Sequence, residues 1–381
     1  MHPDIVMLTS AHTAMDDRIF YREAATLKAA NYQVAIVGRH PRTEVVDGVS
    51  ICGLKTATSR GERLLLGWTI LKTAIELDAS LYIIHDPELI GVALILRLLG
   101  NRVIYDAHEN LPAQIRQKDW IPVPLRWGLI PLVAAVEWIA SRLLSGVIAA
   151  VPAIRDRFPR SRSELVRNFP TSAALAVLAD GAPLSARANV VIYTGGLSDV
   201  RGTRQLVEAF RGLDEAELWL VGDFDNQDFQ TSILKSLPTN VVWLGWRPHL
   251  EVLRLYRLAK LGAVLLYPTP NHRCALPVKL FEYLGAGLPV LASNFPEYVE
   301  FVKDCGFQVD PTDVGKIREA LCELLANPAE LERMSVRARD RVLKRFSWEL
   351  EGVRLVNFCE QRMAKPRLSG ISLADSSTPT S

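Results

Sequence analysis

Two successive series of short apolar segments, alternating with helical patterns, constrain the fold of this 381-residue chain more than any other feature. Continuous apolar strands that alternate with helices are typical of parallel sheets covered on both faces. Because the two series together exceed one ordinary domain, we predict two α/β domains separated near a loop-like stretch at 168–188. The strands predicted for the first series are Ile5–Leu8, Val34–Val37, Val49–Cys52, Leu81–Ile84, Val103–Tyr105 and Val147–Ala150. Those predicted for the second series are Val190–Thr194, Leu218–Val221, Val241–Leu244, Ala263–Leu266, Val290–Ala292 and Phe307–Val309.

Helical patterns and the composition near residue 381 give the remaining boundaries. Helices are expected between the strands, for example over Arg18–Ala30 and Leu89–Leu99. A long helical region, Pro328–Met363, is interrupted near Phe346, and Asn327 is the candidate N-cap of its first part. The predicted units are a first domain over 1–170, a second domain over 171–345, a C-terminal helix over 346–364 and a disordered Ser-, Thr- and Pro-rich tail over 365–381.

Composition and charge exclude several classes of protein. Hydrophobic residues make up 49% and charged residues 23%, as in ordinary globular domains, and the formal net charge is +2. We therefore expect no nucleic-acid partner. The five cysteines form no CxxC and lie at no metal-ligand spacing from a histidine, so we expect reduced thiols, no metal site and a cytoplasmic protein. The first ten residues lack the pattern of a signal peptide.

The longest apolar stretch, Gly128–Val151, contains Glu137 and Arg142. Two charges near the centre of a membrane span would be costly, so we predict a buried helix followed by a strand. Peripheral contact with an anionic membrane at its inner face is a separate hypothesis, because basic and aromatic residues are mixed just before this stretch. A partly buried helix and loop would explain the same mixture. The residues concerned are Arg116, Lys118, Trp120, Ile121, Arg126 and Trp127.

The first predicted strand of the second domain runs into a glycine pair, Gly195 and Gly196, followed by Arg201. Ligands of open parallel sheets bind beyond the carboxyl ends of the strands, against helix N-termini. The two glycines would let a phosphate group approach the backbone, and Arg201 would neutralise a diphosphate. A glycine-rich turn with a surface arginine explains the same pattern equally well.

A second segment, 271–290, combines features of phosphate and ribose recognition. Pro277 suits the start of a helix whose free N–H groups, from Val278 onward, would face phosphate oxygens. Glu282 follows one turn later on the same side as Lys279, where a carboxylate can accept hydrogen bonds from a ribose diol. A surface pair at i,i+3 is the structural alternative, but the Gly-Ala-Gly-Leu-Pro close of the segment favours a binding site.

Three loops of the first half follow predicted strands and place polar residues at one edge of the sheet. His108 could hydrogen-bond a sugar hydroxyl or transfer a proton, although a loop histidine taken alone is more often structural. Asp86, followed by Pro87, is interpreted as a helix cap. The acceptor-side candidates are Asp17, Arg18, His85, Glu88, His108 and Glu109.

Taken together, these segments resemble family 4 of the retaining glycosyltransferases, which have the GT-B fold. The resemblance covers Ile5 to about Met363 and is most specific in PVKLFEYLGAGLPVLAS at 277–293. YTGGLSDVRG, VRNFP, DDRIFYREAATL, HDPE and YDAHE add to it. The resemblance implies two Rossmann-like domains that face each other across a cleft, with a C-terminal helix crossing back to the first. It also implies transfer of a sugar from a nucleotide-sugar donor, with retention and without a required metal or cofactor.

The resemblance further assigns roles position by position. It implies that the second domain binds the donor and the first binds a saccharide or lipid-linked saccharide acceptor, in polysaccharide or glycan assembly. Glu282 would hold the nucleotide ribose, Arg201 matches a basic residue before a glycine of the phosphate loop, and His108 matches a histidine near the donor sugar. The catalytic candidates are His108, Arg201, Lys279 and Glu282. The donor-binding candidates are Gly195, Gly196, Arg201, Arg273, Cys274, Leu276, Pro277, Val278, Lys279 and Glu282.

Two positions depart from the pattern of that family. Cys274 stands where a glutamate usually touches the donor sugar, and Gly196 stands where an arginine is usual. We hypothesise that Lys279, together with Arg273, supplies the displaced positive charge. The departures leave open a catalytically degenerate nucleotide-binding or scaffold protein beside a hexosyltransferase-type enzyme. A sugar-nucleotide epimerase of similar fold also stays open, whereas a nicotinamide dehydrogenase lacks its G-x-G-x-x-G after the first strand.

Overall fold

The structure, a computed structural model, describes residues 2–55, 60–108, 110–117 and 121–363. Glu109, Lys118, Trp120 and the predicted tail lie outside these residues. The strands of the first sheet are β1 Ile5–Thr13, β2 Val34–Arg39, β3 Glu44–Val46, β4 Val49–Leu54, β5 Leu81–Ile84, β6 Val103–Ala107, β7 Gly146–Ala149 and β8 Ser163–Leu165. Those of the second sheet are β9 Val190–Thr194, β10 Glu217–Val221, β11 Val241–Gly245, β12 Leu261–Val264, β13 Val290–Ser293 and β14 Gly306–Val309.

Helices connect and cover these strands. The α-helices of the described residues are α1 Ala25–Ala29, α2 Arg60–Leu77, α3 Ile90–Leu98, α4 Leu111–Gln117, α5 Val123–Leu143, α6 Pro152–Arg155, α7 Ser172–Ala179, α8 Thr203–Ala209, α9 Gln227–Leu234, α10 His249–Tyr256, α11 Val278–Gly285, α12 Val299–Val302, α13 Val314–Leu325, α14 Pro328–Arg345 and α15 Trp348–Met363. A π-helix over Ile19–Ala24 precedes α1, and a short 3₁₀ turn over Asp199–Arg201 precedes α8. Asn327 caps α14 as predicted, because its side chain accepts from the N–H of Glu330.

Both sheets have the parallel, helix-covered topology predicted from the sequence. Their strand orders are β3-β4-β2-β1-β5-β6-β7-β8 and β11-β10-β9-β12-β13-β14. All described neighbours pair in parallel except β3 and β4. Parallel strands with buried faces require apolar runs, which is why each predicted strand is present. The prediction for β12 was displaced by two residues, since the apolar run continues beyond the strand into Leu265 and Leu266.

The prediction of a buried helix within Gly128–Val151 was wrong for most of its length. The helix is α5, and only 11% of its most apolar window is buried. Its buried side consists of Glu137, Ala140 and Ser141, near the C-terminal end. By length and composition α5 is a candidate membrane span. Apolar composition alone therefore did not distinguish a helix inside the core from one on the surface.

The C-terminal helix α15 crosses back to the first domain, as predicted. Trp348, Leu355 and Phe358 are buried in the same apolar cluster as strand residues such as Ile5 and Met7. The indole Nε1–H of Trp348 donates to Thr26 Oγ1 at 2.7 Å. A Cβ atom at Gly146 would lie 2.6 Å from the ring of Phe358, so glycine gives the helix room to approach β7. The boundary proposed after Pro170 stays a prediction.

Candidate active site

The polar loops of both domains meet at a cleft beyond the carboxyl ends of the strands. A cavity of about 350 Å³ lies between the domains. His108, Asp17 and Arg18 line it from the first domain, and Cys274 and Pro277 line it from the second. The fold therefore brings several sequence-predicted residues from opposite halves of the chain to one place.

A second cavity, of about 570 Å³, opens in the second domain beside the glycine pair. Its lining comes from the ends of β9, β10 and β11 and from two helices that follow strands. The lining residues used below are Gly195, Gly196, Trp246, His249, Lys279 and Glu282. We refer to it as the nucleotide cavity.

Backbone conformation explains the glycines at this end of the sheet. Gly195 has φ 103°, in the left-handed region that favours glycine. Gly222, at the end of β10, has φ 137°, and a Cβ atom there would lie 2.2 Å from the carbonyl oxygen of Gly195. The two turns therefore pack backbone against backbone, and the N–H groups of Gly195 and Leu197 donate to the carbonyl oxygens of Val221 and Asp223.

Two cations converge on the space above Gly195. A Cβ atom at Gly195 would lie 3.7 Å from Lys279 Nζ and 3.9 Å from Arg201 Nη1. A Cβ atom at Gly196 would lie 3.6 Å from Arg201 Nη1, an ordinary contact distance, so the guanidinium lies directly beside this glycine. A small anion above this turn would contact both positive charges.

The Lys279 ammonium is held by the protein rather than by solvent. Its Nζ donates to the carbonyl oxygen of Thr194 at 2.6 Å and lies 3.9 Å from the ring centre of Tyr193. Burial, followed by the positive charge of Arg201, lowers the pKa of Lys279 to about 7, and Glu282 opposes that decrease. The ammonium form would be favoured by an anion bound nearby.

Glu282 lies in α11, which begins at Val278 with Pro277 at the N-cap position. Its carboxylate is buried, and Oε1 lies 2.7 Å from Nε2 of His249. Tyr256 donates its hydroxyl to Oε2 at 3.3 Å. The hydrogen bond with Glu282 raises the pKa of His249 above its ordinary value, against a decrease from burial. This carboxylate faces the nucleotide cavity, where it can accept from hydroxyl groups.

The residues before α11 separate into two groups. Cys274, Leu276 and Pro277 line the cleft, and burial raises the pKa of the Cys274 thiol. Arg273 is exposed, and its Nε donates to the carbonyl oxygen of Pro268 at 3.2 Å. The structure thus brings Lys279, and not Arg273, next to Arg201. The geometry therefore does not support the hypothesis that Arg273 helps to supply the displaced positive charge.

On the first-domain side, His108 is held by a buried carboxylate. Its Nδ1 lies 3.3 Å from Oδ2 of Asp106. Arg18 binds Asp106 through two hydrogen bonds of 2.8 Å, from Nε and Nη2. Burial would raise the pKa of Asp106, but Arg18 and the histidine hydrogen bonds keep it well below its ordinary value. Asp106 therefore carries a charge and fixes the orientation of His108.

His85 was expected on the acceptor side, but it is fully buried beneath the cleft. Its Nδ1 lies 3.1 Å from Asp106 Oδ2, and its Nε2 lies 4.0 Å from Oε2 of Glu23. Burial lowers the pKa of His85, and burial followed by the charge of Asp106 raises the pKa of Glu23 well above its ordinary value. We therefore infer a neutral pair, with His85 supporting Asp106 rather than touching an acceptor.

The interpretation of Asp86 as a helix cap was also incomplete. It occupies the N-cap position of a 3₁₀ turn, but its side chain makes no cap hydrogen bond. Instead Oδ2 accepts from the N–H groups of Ser10 and Ala11 at 2.6 and 3.0 Å, and Oδ1 lies 2.7 Å from Nδ1 of His12. Glu88 accepts from the hydroxyl of Ser10 at 2.6 Å. Both carboxylates thus order the loop after β1, which carries His12 into the cleft.

One group among the described residues has the geometry to hold a metal ion. His85, Asp106 and His108 each offer a ligand atom, and these atoms lie within 4.8 Å of one another. Both oxygens of Asp106 are already bonded to Arg18. An ion would compete directly with a buried guanidinium, so the group is better described as an ion-paired network.

Sequence reasoning missed His12, His249, Glu23 and Asp106 as parts of the site. Glu23 and Asp106 lie in segments that carry the family resemblance, but their own positions gave no local signal of a role in the site. His12 and Asp86 are 74 residues apart, and His249 and Glu282 are 33 residues apart. Their pairing follows from strand order, which brings loop ends together and leaves no local signal.

Comparisons with known proteins bear on the second domain and on the fold. Residues 188–327 match the family model described as "Glycosyl transferases group 1". A stretch of 119 residues is 32% identical to TuaH of Bacillus subtilis, which is named for a glycosyltransferase of teichuronic acid biosynthesis, and covers 31% of this chain and 30% of that protein. A stretch of 152 residues is 27% identical to a GDP-mannose-dependent monoacylated alpha-(1-6)-phosphatidylinositol monomannoside mannosyltransferase of Corynebacterium glutamicum, and covers 38% of this chain and 39% of that one. The matches therefore span between about a third and two fifths of the length of these two relatives.

A solved structure extends the likeness to both domains. Anabaena HepE in complex with UDP superposes with a TM-score of 0.72 at 16% identity, covering 94% of this chain and 100% of that one. At this identity the likeness concerns the fold. The two-domain arrangement predicted from the sequence is the GT-B fold.

Proposed function

We propose that this chain, a GT-B protein that carries a group 1 glycosyltransferase domain, transfers a sugar from a nucleotide-sugar donor to a saccharide or lipid-linked acceptor. The observation that carries the proposal is the convergence of Arg201 and Lys279 above Gly195, one helical turn from Glu282. Such a site fits a nucleoside diphosphate, with phosphates at the cations and ribose at the carboxylate. His108 lines the neighbouring cleft cavity from the first domain, together with Cys274 and Pro277 from the second.

The proposed reaction is hexosyl transfer with retention and without a required metal. The acceptor hydroxyl attacks the anomeric carbon from the face that the nucleoside diphosphate leaves. The bond from carbon to the phosphate oxygen breaks, and that oxygen takes the acceptor proton. Arg201, Lys279 and the N–H groups at the start of α11 stabilise the charge on the leaving group. Stabilisation of this kind does not need a divalent cation, and His108 orients the sugar from the other side.

Acceptor and location are part of the same proposal. The curated relatives are named for teichuronic acid biosynthesis and for a phosphatidylinositol monomannoside, which supports a saccharide or lipid-linked acceptor in polysaccharide or glycan assembly. The described cysteines are all unpaired, which supports a cytoplasmic location. Peripheral contact with the inner face of a membrane would bring such an enzyme to a lipid-linked acceptor.

The first test is thermal-shift titration with UDP, GDP and ADP, with EDTA and with magnesium. Saturable stabilisation by one nucleotide in EDTA supports the donor site and its independence of metal. Turnover of the corresponding nucleotide sugar then discriminates an enzyme from a binding protein. We expect Arg201→Ala to lower turnover by about 10²-fold or more, as for removal of one preorganised partner of a developing charge. Unchanged turnover in Arg201→Ala, with activity present in the parent, would refute the assignment.

A second candidate is a catalytically degenerate nucleotide-binding protein. Cys274 favours it, because a neutral thiol lines the cleft where the family resemblance places a glutamate. This candidate predicts that a nucleotide raises the thermal stability of the protein while no nucleotide sugar is turned over. Restoring the carboxylate by Cys274→Glu would then produce measurable hydrolysis or transfer, whereas an active parent enzyme would lose donor preference in the same variant.

A further inference from the structure

The outward side of α5 carries an unbroken apolar stripe on the surface of the first domain. Leu125, Leu132, Val136, Ile139 and Leu143 are all exposed. Their spacings of seven, four, three and four residues place them on one side of the helix. The side that carries Glu137, Ala140 and Ser141 packs on the domain. Such a stripe is unusual on a helix that faces water.

The apolar stripe continues onto the two neighbouring helices. α3 packs against both α2 and α5. At its C-terminal end Leu98 is 87% exposed, and Leu99 and Ile95 are exposed beside it. On α2, Leu65 and Trp68 are exposed on one side, and Trp68 is 67% exposed. We call the outward sides of α2, α3 and α5 the apolar face.

On α3 and α5, the most apolar part of the apolar face, the charged side chains at the surface are arginines. Within α3 and α5, both described throughout, the one carboxylate is Glu137, and it is buried against Arg157 and Tyr105. Arg142 lies 3.1 Å from the ring centre of the exposed Trp138. Arg97, near the end of α3, donates to the carbonyl oxygen of Leu143 at 3.0 Å. Exposed carboxylates are thus absent from these two helices, whereas α2 carries the exposed Glu62 and Glu76, of which Glu76 lies 3.8 Å from Lys72 Nζ.

From these observations we propose that the apolar face docks on the interface of an anionic lipid bilayer. Leucines would enter the acyl boundary, tryptophans would lie at the headgroup level, and arginines would meet lipid phosphates. A second copy of the chain fits less well. A symmetric dimer through this face would oppose arginines with arginines and offer no carboxylate from α3 or α5 to pair with them.

The helix lies along the bilayer surface and does not cross it. Spanning would remove α5 from the domain and separate the ion pair of Glu137 with Arg157, which lies outside the helix. α4 packs against α5 and contributes Gln114 to the wall of the cleft cavity. A docked bilayer would therefore lie beside the cleft. That consequence for a lipid-linked acceptor rests on the proposed function, whereas the docking itself does not.

The test is flotation of the full chain with vesicles of phosphatidylcholine alone and with added phosphatidylglycerol. We expect binding to the anionic vesicles that weakens at high salt. Leu98→Glu and Leu132→Glu should each lower the bound fraction at least about tenfold, since they place a charge in the docked surface. Val336→Glu, at an exposed apolar position of α14 in the second domain, is the matched control and should bind as the parent does. Quenching of tryptophan fluorescence by brominated lipid should decrease in Trp68→Phe while binding persists.

Three results would overturn the docking proposal. One is failure of the folded chain to bind anionic vesicles at low salt. Another is equal binding by Leu132→Glu and Val336→Glu. The third is a dimer that Leu132→Glu dissociates, with no vesicle binding by either form. Thermal stabilisation by nucleotide is measured on the same samples. Vesicle binding without any nucleotide response would refute the proposed function and leave the docking proposal standing.

Discussion

Nε2 of His249 lies 2.7 Å from Oε1 of Glu282, so the carboxylate proposed to bind ribose has a histidine partner from a different helix. His249 is the first residue of α10 and Glu282 lies in the middle of α11, and both line the nucleotide cavity. A bound ribose diol would hydrogen-bond to the Glu282 carboxylate beside His249 or in its place. The pair therefore links nucleotide binding to the charge of His249.

The first prediction concerns the pH dependence of stability. Glu282 raises the pKa of His249 above 6.5, so its stabilising effect is complete below about pH 6.5 and is lost as pH rises through the raised value. The imidazole side chain is 55% exposed, so we expect His249→Ala to cost less than about 1 kcal/mol in acid and almost nothing near pH 9. Thermal unfolding across this range measures it. In a Glu282→Gln background, the effect of His249→Ala on stability should no longer depend on pH. Equal stability of the parent and His249→Ala in acid would contradict the prediction.

The second prediction concerns nucleotide affinity. Because the pKa of Lys279 is about 7, the free protein loses this ammonium as pH rises above neutrality, and an anion binds the protonated form better. UDP affinity should fall as pH rises from about 7 to about 9, by at most about tenfold per pH unit. Calorimetric titration measures it. Lys279→Arg keeps its charge over this range and should bind independently of pH. A parallel decrease in parent and Lys279→Arg would rule out Lys279 as the titrating group.

The third prediction separates the two glycines of the phosphate loop. Gly195 has φ 103°, so Gly195→Ala should destabilise the protein by roughly 1–2 kcal/mol through backbone strain. A Cβ atom at Gly196 lies at ordinary contact distance, 3.6 Å, from Arg201, so Gly196→Ala should be nearly neutral for stability. Thermal unfolding of the two variants side by side measures the difference. Equal melting temperatures would show that the loop relaxes without strain.

The fourth prediction concerns the buried network under His108. Asp106→Asn removes the carboxylate that accepts two hydrogen bonds from buried Arg18 and leaves Glu23, whose Oε1 lies 2.9 Å from Arg18 Nε, as the neighbouring carboxyl group, so it should cost about 3–5 kcal/mol. Glu23→Gln is the matched control, because we infer that Glu23 is already protonated, and it should cost less than about 1 kcal/mol. Chemical denaturation of both variants measures the two costs. A larger cost for Glu23→Gln would mean that Glu23 is ionised.

The parts of the fold that the sequence predicted are those with a strong local cause. β5 and β9 were predicted to the residue, because strands buried on both faces must be apolar throughout. β3 and β8 were missed, since each has three residues at the edge of the sheet and no distinctive pattern. For α5 the sequence showed an apolar helix, but whether its side chains are exposed depends on how the rest of the domain packs against it.

The residues of the candidate site also divide into those with a local signal in the sequence and those without one. Gly195 and Lys279 could be found because glycine and lysine at a strand–helix junction have a direct physical meaning. His85 was misjudged since a loop position does not show whether a side chain faces the cleft or the core. The partnership of Glu282 with His249 could not be predicted, because it depends on the relative placement of α10 and α11.

The return of α15 to the first domain has a consequence for how the chain is made. Leu355, Phe358 and Cys359 complete an apolar cluster whose other members include residues of β1, near the N-terminus. During synthesis the first domain leaves the ribosome with that surface uncovered, and the second domain can fold before it is covered. The first half to be translated is therefore the last to finish folding. Until the final helix arrives, its exposed strands are a place where chaperones or other nascent chains can bind.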